Sequence, residues 1–238
     1  MGLTLNDQDT RSGWSSGTVS VTVDCLDTDL IVVLCASGNS GTMPISCADD
    51  LGNSYTMTAE VNQASGAYLA NAYCLDCDGT NATNEITPTY EAGGTAKEVV
   101  AASFSIDGGD TVSLEDTATG QGSWDDDEAE TAADCSITTT DGLAIAMTKC
   151  GNSQTFGDGQ IPEGNTVTDL VVAGSNNQQA FYDILTGNLT NAAAWVDISA
   201  NTAWVIMMLA FNSAGGAGAG APTGTLFGPL GGPFRGVL

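Results

Sequence analysis

The chain has 238 residues, with four Lys and Arg against 29 Asp and Glu, a formal charge of −25, and no histidine. A field of that sign repels phosphate backbones and anionic lipid surfaces, so neither nucleic acid nor a membrane is expected as a partner. Without histidine the commonest general base and metal ligand are missing, which weighs against an enzyme.

Gly, Ser, Thr, Asn and Asp dominate the spacers and long i, i+3, i+4 apolar patterns are absent, so the expected fold is all-β with many short strands. Residues 1–17 read as polar and irregular up to Trp14, with neither a charged leader nor an apolar stretch, and synthesis in a cytoplasm is expected. Thr18–Val23 (TVSVTV) alternates with period two, and Asp29–Ala36 (DLIVVLCA) reads as a fully buried strand. Met43–Cys47 and Ser54–Glu60 flank the turn DDLGN and predict a hairpin. Strands are expected at Ala67–Cys74, Glu85–Tyr90, Val99–Ile106 and Thr111–Leu114. Glu115–Asp134, carrying DDDEAE at 125–130, reads as a solvated loop. Further strands are expected at Leu143–Thr148, Thr168–Ala173, Ala180–Leu185 and Trp195–Ile198.

The run Thr202–Phe211 (TAWVIMMLAF) is the most continuous apolar stretch. It is about half the length of a membrane-spanning helix and is rich in β-formers, which predicts a central strand buried on both faces; a buried helical turn has the same hydrophobicity. An echo is visible: Asp24-Cys25 precedes a buried strand ending in Cys35 and GNSGT, and Asp134-Cys135 precedes one ending in Cys150 and GNSQT. The cysteine intervals differ, so the echo reads as two strands with the same exit turn in preference to a duplicated half.

The seven cysteines are odd in number, and buried thiols acting as small hydrophobes are expected. Cys74 and Cys77 (CLDC) have the spacing of half a zinc site or of a redox pair, but a zinc needs two more ligands and a redox pair a βαβ setting. Asp76, Asp78 and Asn81 in DCDGTN, with Asp107 and Asp110 in DGGD, supply the oxygens calcium prefers and are its candidates; ordinary Asx turns account for the same residues, and no cofactor is expected. Serine and cysteine nucleophiles have no histidine to activate them.

Ala214–Leu238 is composed like no other part of the chain. Ala214–Pro222 is a Gly/Ala linker, after which Leu226, Phe227, Leu230, Phe234, Val237 and Leu238 are spaced by Gly and Pro around Arg235. The expected division is a β-sandwich over 1–213 and an extended C-terminal arm over 214–238, whose apolar residues and Arg235 are expected to dock into a groove of a neighbouring subunit or other protein.

Taken together, GDTVSLEDT, LGNSYT, the ASF strand, YDILTG, AAAWVDIS and AWVIMMLAF resemble a recurring β-sandwich module of tailed-phage virion proteins, over roughly residues 18–212. The resemblance implies an antiparallel sandwich, jelly-roll-like or immunoglobulin-like, in a non-enzymatic virion structural protein made in the host cytoplasm. The leading expectation is a capsid decoration (cement) protein that binds the major capsid protein or other virion subunits, as a homo-oligomer on the particle. The alternative is a tail-fibre or appendage module that binds a host glycan. Its acidity departs from such modules and points to a marine host or a cation-rich setting.

Overall fold

In the computed structural model the described residues are 3–13, 18–26, 29–38, 44–63, 66–78, 80–91, 97–106, 111–122, 128–130, 135–137, 142–161, 167–170, 177–185, 189–199 and 202–214. They form β1 (Leu3–Gly13), β2 (Val21–Leu26), β3 (Asp29–Ser37), β4 (Pro44–Asp49), β5 (Thr56–Met57), β6 (Val61–Gln63), β7 (Ala67–Leu69), β8 (Ala72–Cys77), β9 (Thr80–Tyr90) and β10 (Lys97–Ile106). There follow β11 (Thr111–Gly122), β12 (Glu128–Glu130), β13 (Cys135–Ile137), β14 (Gly142–Cys150), β15 (Thr168–Leu170), β16 (Gln178–Leu185), β17 (Leu189–Ala192), β18 (Trp195–Asp197) and β19 (Trp204–Ala214). All pairings are antiparallel, as expected for an all-β sandwich.

Four layers stack. A three-stranded sheet, β2-β9-β4, covers one face of a seven-stranded sheet in which β1, β10, β3 and β8 run side by side. The other face of that sheet packs on a five-stranded sheet, β11-β19-β14-β16-β15, whose far side is covered by the two-stranded ladders β12-β18 and β13-β17. The three apolar clusters between these layers hold the core; the middle one, between the two large sheets, contains Leu30, Val32, Leu34, Val100 and Phe104 from one side and Leu143, Ile145, Met147, Met207 and Phe211 from the other.

Five strands of the seven-stranded sheet, β1, β10, β3, β8 and β5, recur in the second sheet as β11, β19, β14, β16 and β15. Leu5 pairs with Phe104 and Phe104 with Leu30; Leu114 pairs with Phe211 and Phe211 with Leu143. A bulge interrupts the edge ladder at Leu5/Asp7 in one and at Leu114/Asp116 in the other, and both edge strands end on glycine, Gly13 and Gly122. One register further, Val32 pairs with Tyr73 and Tyr73 with Thr56; Ile145 pairs with Tyr182 and Tyr182 with Thr168. In the outer layers Cys25 pairs with Ala82 and Cys135 with Ala192, each inside the tripeptide Thr-Asn-Ala. The expectation of two unrelated strands with a common exit turn is therefore corrected: residues 3–106 and 111–214 repeat one topology and one register. The cysteine intervals differ because Cys35 and Cys150 are not equivalents. Cys35 corresponds to Thr148, and Cys150 to Ser37, while the connection before β14 is longer than that before β3.

Several sequence expectations change in the same light. Thr202–Phe211 is a central strand, β19, flanked by β11 and β14. Residues 3–13, read as irregular, form β1; a polar edge strand shows no apolar run, because one side of its ladder faces away from the core. Thr111–Leu114 extends to Gly122, so β11 takes in part of the expected loop, and 128–130 of the acidic run pair with β18. The DDLGN turn forms, with Gly52 at φ 84°, but β4 pairs with β9 and β5 with β8, so the flanking strands enter different sheets and make no hairpin. Ala67–Cys74 breaks into β7 and β8 at Asn71, whose Oδ1 accepts the Cys35 amide at 3.2 Å while its own amide donates to Thr58 Oγ1 at 2.9 Å.

Candidate functional site

The repeat makes the contact between the two halves reciprocal, as in an isologous dimer. Tyr73 of the first half meets Phe211 of the second edge-to-face, with centroids 5.5 Å apart at 76°, and Tyr182 of the second meets Phe104 of the first at 5.5 Å and 73°. Because Tyr73 corresponds to Tyr182 and Phe104 to Phe211, this is one contact made twice about a pseudo-twofold axis.

Near the end of the same core strands the symmetry is broken by charge. Lys149, fully buried, pairs with Glu98 across the seam. Lys149 stands where Ala36 stands in the first half, and Glu98 where Val205 stands in the second. Burial pushes the Lys149 ammonium below its ordinary pKa, and the Glu98 carboxylate beside it opposes that shift. Along one corner of the seam lies a groove of about 240 Å³ between Met57, Thr58 and Tyr73 of the first half and Leu114, Thr117 and Met207 of the second. Thr58 Oγ1 reaches Met207 Sδ at 3.4 Å there.

The acidic turns are occupied by their own hydrogen bonds. Asp49 Oδ1 accepts the Gly52 and Asn53 amides at 2.7 and 2.9 Å, and Oδ2 accepts Asn53 Nδ2, Tyr55 OH and Asn84 Nδ2 at 2.8, 3.0 and 2.7 Å. Burial alone would raise this carboxyl, but the donors from Asn84, Asn53 and Tyr55 outweigh it and hold the pKa below the usual range. Asn53 also accepts the Asp78 amide at 2.7 Å, which ties the turn before β9 to the turn after β4. Of the calcium candidates, Asp76 and Asp78 are exposed on that turn, Asp76 at φ 52°. Asp107, Asp110 and the side chain of Asn81 lie outside the described residues. Among the described residues no group of three or more Cys, Asp and Glu is placed to hold a metal.

All seven cysteines are free thiols, six of them buried. In CLDC, Cys77 donates to the Cys74 carbonyl at 3.5 Å and lies within hydrogen-bond reach of the Cys25 and Cys74 thiols, which with burial push its pKa up. Burial first, then the Asp49 charge, raises Cys47 to about 12, and burial raises Cys150 to about 12. Thiols held protonated in this way pack as small apolar side chains and are poor nucleophiles.

The docking residues expected from the sequence, Leu226, Phe227, Leu230, Phe234, Arg235, Val237 and Leu238, lie outside the described residues. What sequence reasoning missed is the seam: Glu98 and Lys149 carry no motif, and their pairing follows only from superposing the two halves. The signal that could have found it is the pair LTLND and VSLED, together with AYC and FYD. Comparison with protein-family models, with curated proteins and with solved structures finds no match. Fold and seam define the chain as an all-β antiparallel sandwich built of two repeated halves.

Proposed function

We propose that the protein is a non-enzymatic structural component of a virion, a decoration or cement protein that binds the shell and stabilises it. The observation that carries this reading is the doubled sandwich together with a formal charge of −25. In each half the chain alternates between two sheets, and the half's first and last strands pair side by side; this order departs from the immunoglobulin one and follows that of a jelly roll. Jelly rolls serve viral capsids, lectins and cupins. A chain without histidine is poorly equipped for cupin-type metal chemistry. Large exposed apolar side chains among the described residues are Leu26, Ile45 and Leu51, none aromatic, which leaves sugar stacking without a platform there.

Two of the four cations, Lys97 and Lys149, are buried, Lys97 lying 5.2 Å over the Tyr90 ring, so Arg11 is the exposed cation among the described residues. A surface so dominated by one sign keeps finished particles apart, and a four-layered sandwich offers few local openings. Partners on this reading are the major capsid protein or other virion subunits, with further copies of the chain. The test is quantitative mass spectrometry of purified particles. A fixed, icosahedral ratio to the shell protein supports the cement role; a few copies per particle, released with the tail, would overturn it in favour of a glycan-binding appendage.

A further inference from the structure

The seam groove and its twofold-related corner are lined differently: Asp169 stands there in place of Met57 and Val100 in place of Met207. At the twofold-related corner Leu170 stands in place of Thr58 and is buried in the core, and Gln8 stands in place of Thr117. Leu170 and Gln8 are both larger than the threonines whose places they take. The groove is walled by Met57, Tyr73, Leu114 and Met207, and its about 240 Å³ falls below the ~300–1,000 Å³ of sites that enclose a drug-sized ligand, so it suits apolar side chains.

We infer that the occupant is the chain's own C-terminal segment, residues 223–238, which seats apolar anchors in this groove. Two of the groove's walls belong to β11 and β19, and the described chain stops at Ala214 on that same ladder, paired with Thr111. Leu114 is ~10 Å further along β11, at ~3.4 Å per residue. The linker 214–222 spans up to ~30 Å, so the anchors reach the groove without strain and at a millimolar-scale effective concentration. Leu226, Phe227, Leu230 and Phe234 supply the apolar side chains, and Arg235, the single charged side chain of the segment, is opposite in sign to a chain whose formal charge is −25. The seating is independent of the virion role: it fixes where the segment rests on the free protein.

Limited proteolysis of the full-length protein with chymotrypsin tests it, read as the rate of cleavage after Leu226, Phe227 and Phe234. The expected result is that Thr58→Leu and Thr117→Gln, which give the groove the side chains of its twofold mate, each speed cleavage about tenfold while the 3–214 core stays uncut. Thr117→Gln is the cleaner variant, because Thr58 Oγ1 also accepts the Asn71 amide. Equal rates in wild type and both variants would overturn the inference. So would protection that appears only with rising protein concentration and a dimer on size-exclusion chromatography, which would place the segment on a second copy.

Discussion

The two halves share a core sheet and differ in what covers it. In the first, β2, β9 and β4 form a continuous outer sheet, and the edge strand β1 is laced to β2 by side chains. Asp9 Oδ2 accepts the Thr22 amide and Asp7 Oδ2 the Asp24 amide, each at 2.8 Å, while Asn6 Nδ2 donates to the Asp24 carbonyl at 2.9 Å and Arg11 to that of Ser20 at 3.4 Å. In the second half Ala118 and Gly120 occupy the places of Asp9 and Arg11. The cover is broken into two short ladders and the bridges Phe156–Ile198 and Gln160–Trp195. Its packing is re-solved locally: the cross-strand pair Val33/Ala72 becomes Ala146/Phe181, large and small exchanged, and Gly159 lies so close to the Phe181 ring that an added Cβ would stand 2.4 Å from it. At the seam each reciprocal aromatic contact joins the two halves, so its side chains must fit both. The twofold-related Phe and Tyr are therefore kept, and the outer layers drift.

The largest effects should fall on the seam and fall equally on its two copies. Phe104→Ala and Phe211→Ala should each cost ~3–5 kcal/mol and agree within about 1 kcal/mol, measured by chemical denaturation. Costs that differ severalfold would mean that the reciprocal contacts are equal in geometry alone. Lys149→Met leaves Glu98 in the seam without its buried cation and should cost ~3–5 kcal/mol. Adding Glu98→Val, the residue of the equivalent position, should recover most of that loss; a double variant as unstable as the single one would show that the pair is not the source.

Titration separates the halves less sharply, because both bury thiols. Cys35 and Cys47 of the first half and Cys150 of the second have folded pKa values raised chiefly by burial, and Cys77 of the first half one raised by its hydrogen bonds with the Cys25 and Cys74 thiols and then by burial. A raised pKa contributes stability that is complete below the ordinary thiol value of ~8.5 and is lost as pH rises toward the folded value. The melting temperature should thus hold between pH 7 and 8 and fall above ~8.5. Lys149, with its pKa lowered, acts with the opposite sign, so Lys149→Met should steepen that fall. The smallest effect is expected at the lacing. Asp9→Ala gives β1 the residue of Ala118 and should cost ~1 kcal/mol, seen as faster hydrogen exchange at the Thr22 amide.

Strands buried on both faces were legible in the sequence: DLIVVLCA, VVAASFSI and TAWVIMMLAF need little more than hydrophobicity to be placed. LTLNDQDT was not, because the side chains that would mark a strand are Asp and Asn that bond a neighbouring strand's backbone. The length of β11 past Leu114 was hidden for a related reason: Thr, Gly and Gln on an edge read as loop. The repeat was half visible in GNSGT and GNSQT and was masked by two non-equivalent cysteines. The buried pair Glu98–Lys149 could not be read locally, since its partners come together only when the two halves close.

Each half is completed by the other, through the apolar face they share. The most direct measurement of this is separate expression of 1–107 and 108–238, followed by mixing and analysis by light scattering and near-ultraviolet dichroism. Each piece alone should be unfolded or aggregated, since its core sheet would expose the apolar face that forms the largest cluster, and the mixture should yield a 1:1 complex with the intact protein's spectrum. A first piece that folds alone as a stable monomer and does not bind the second would contradict that mutual completion.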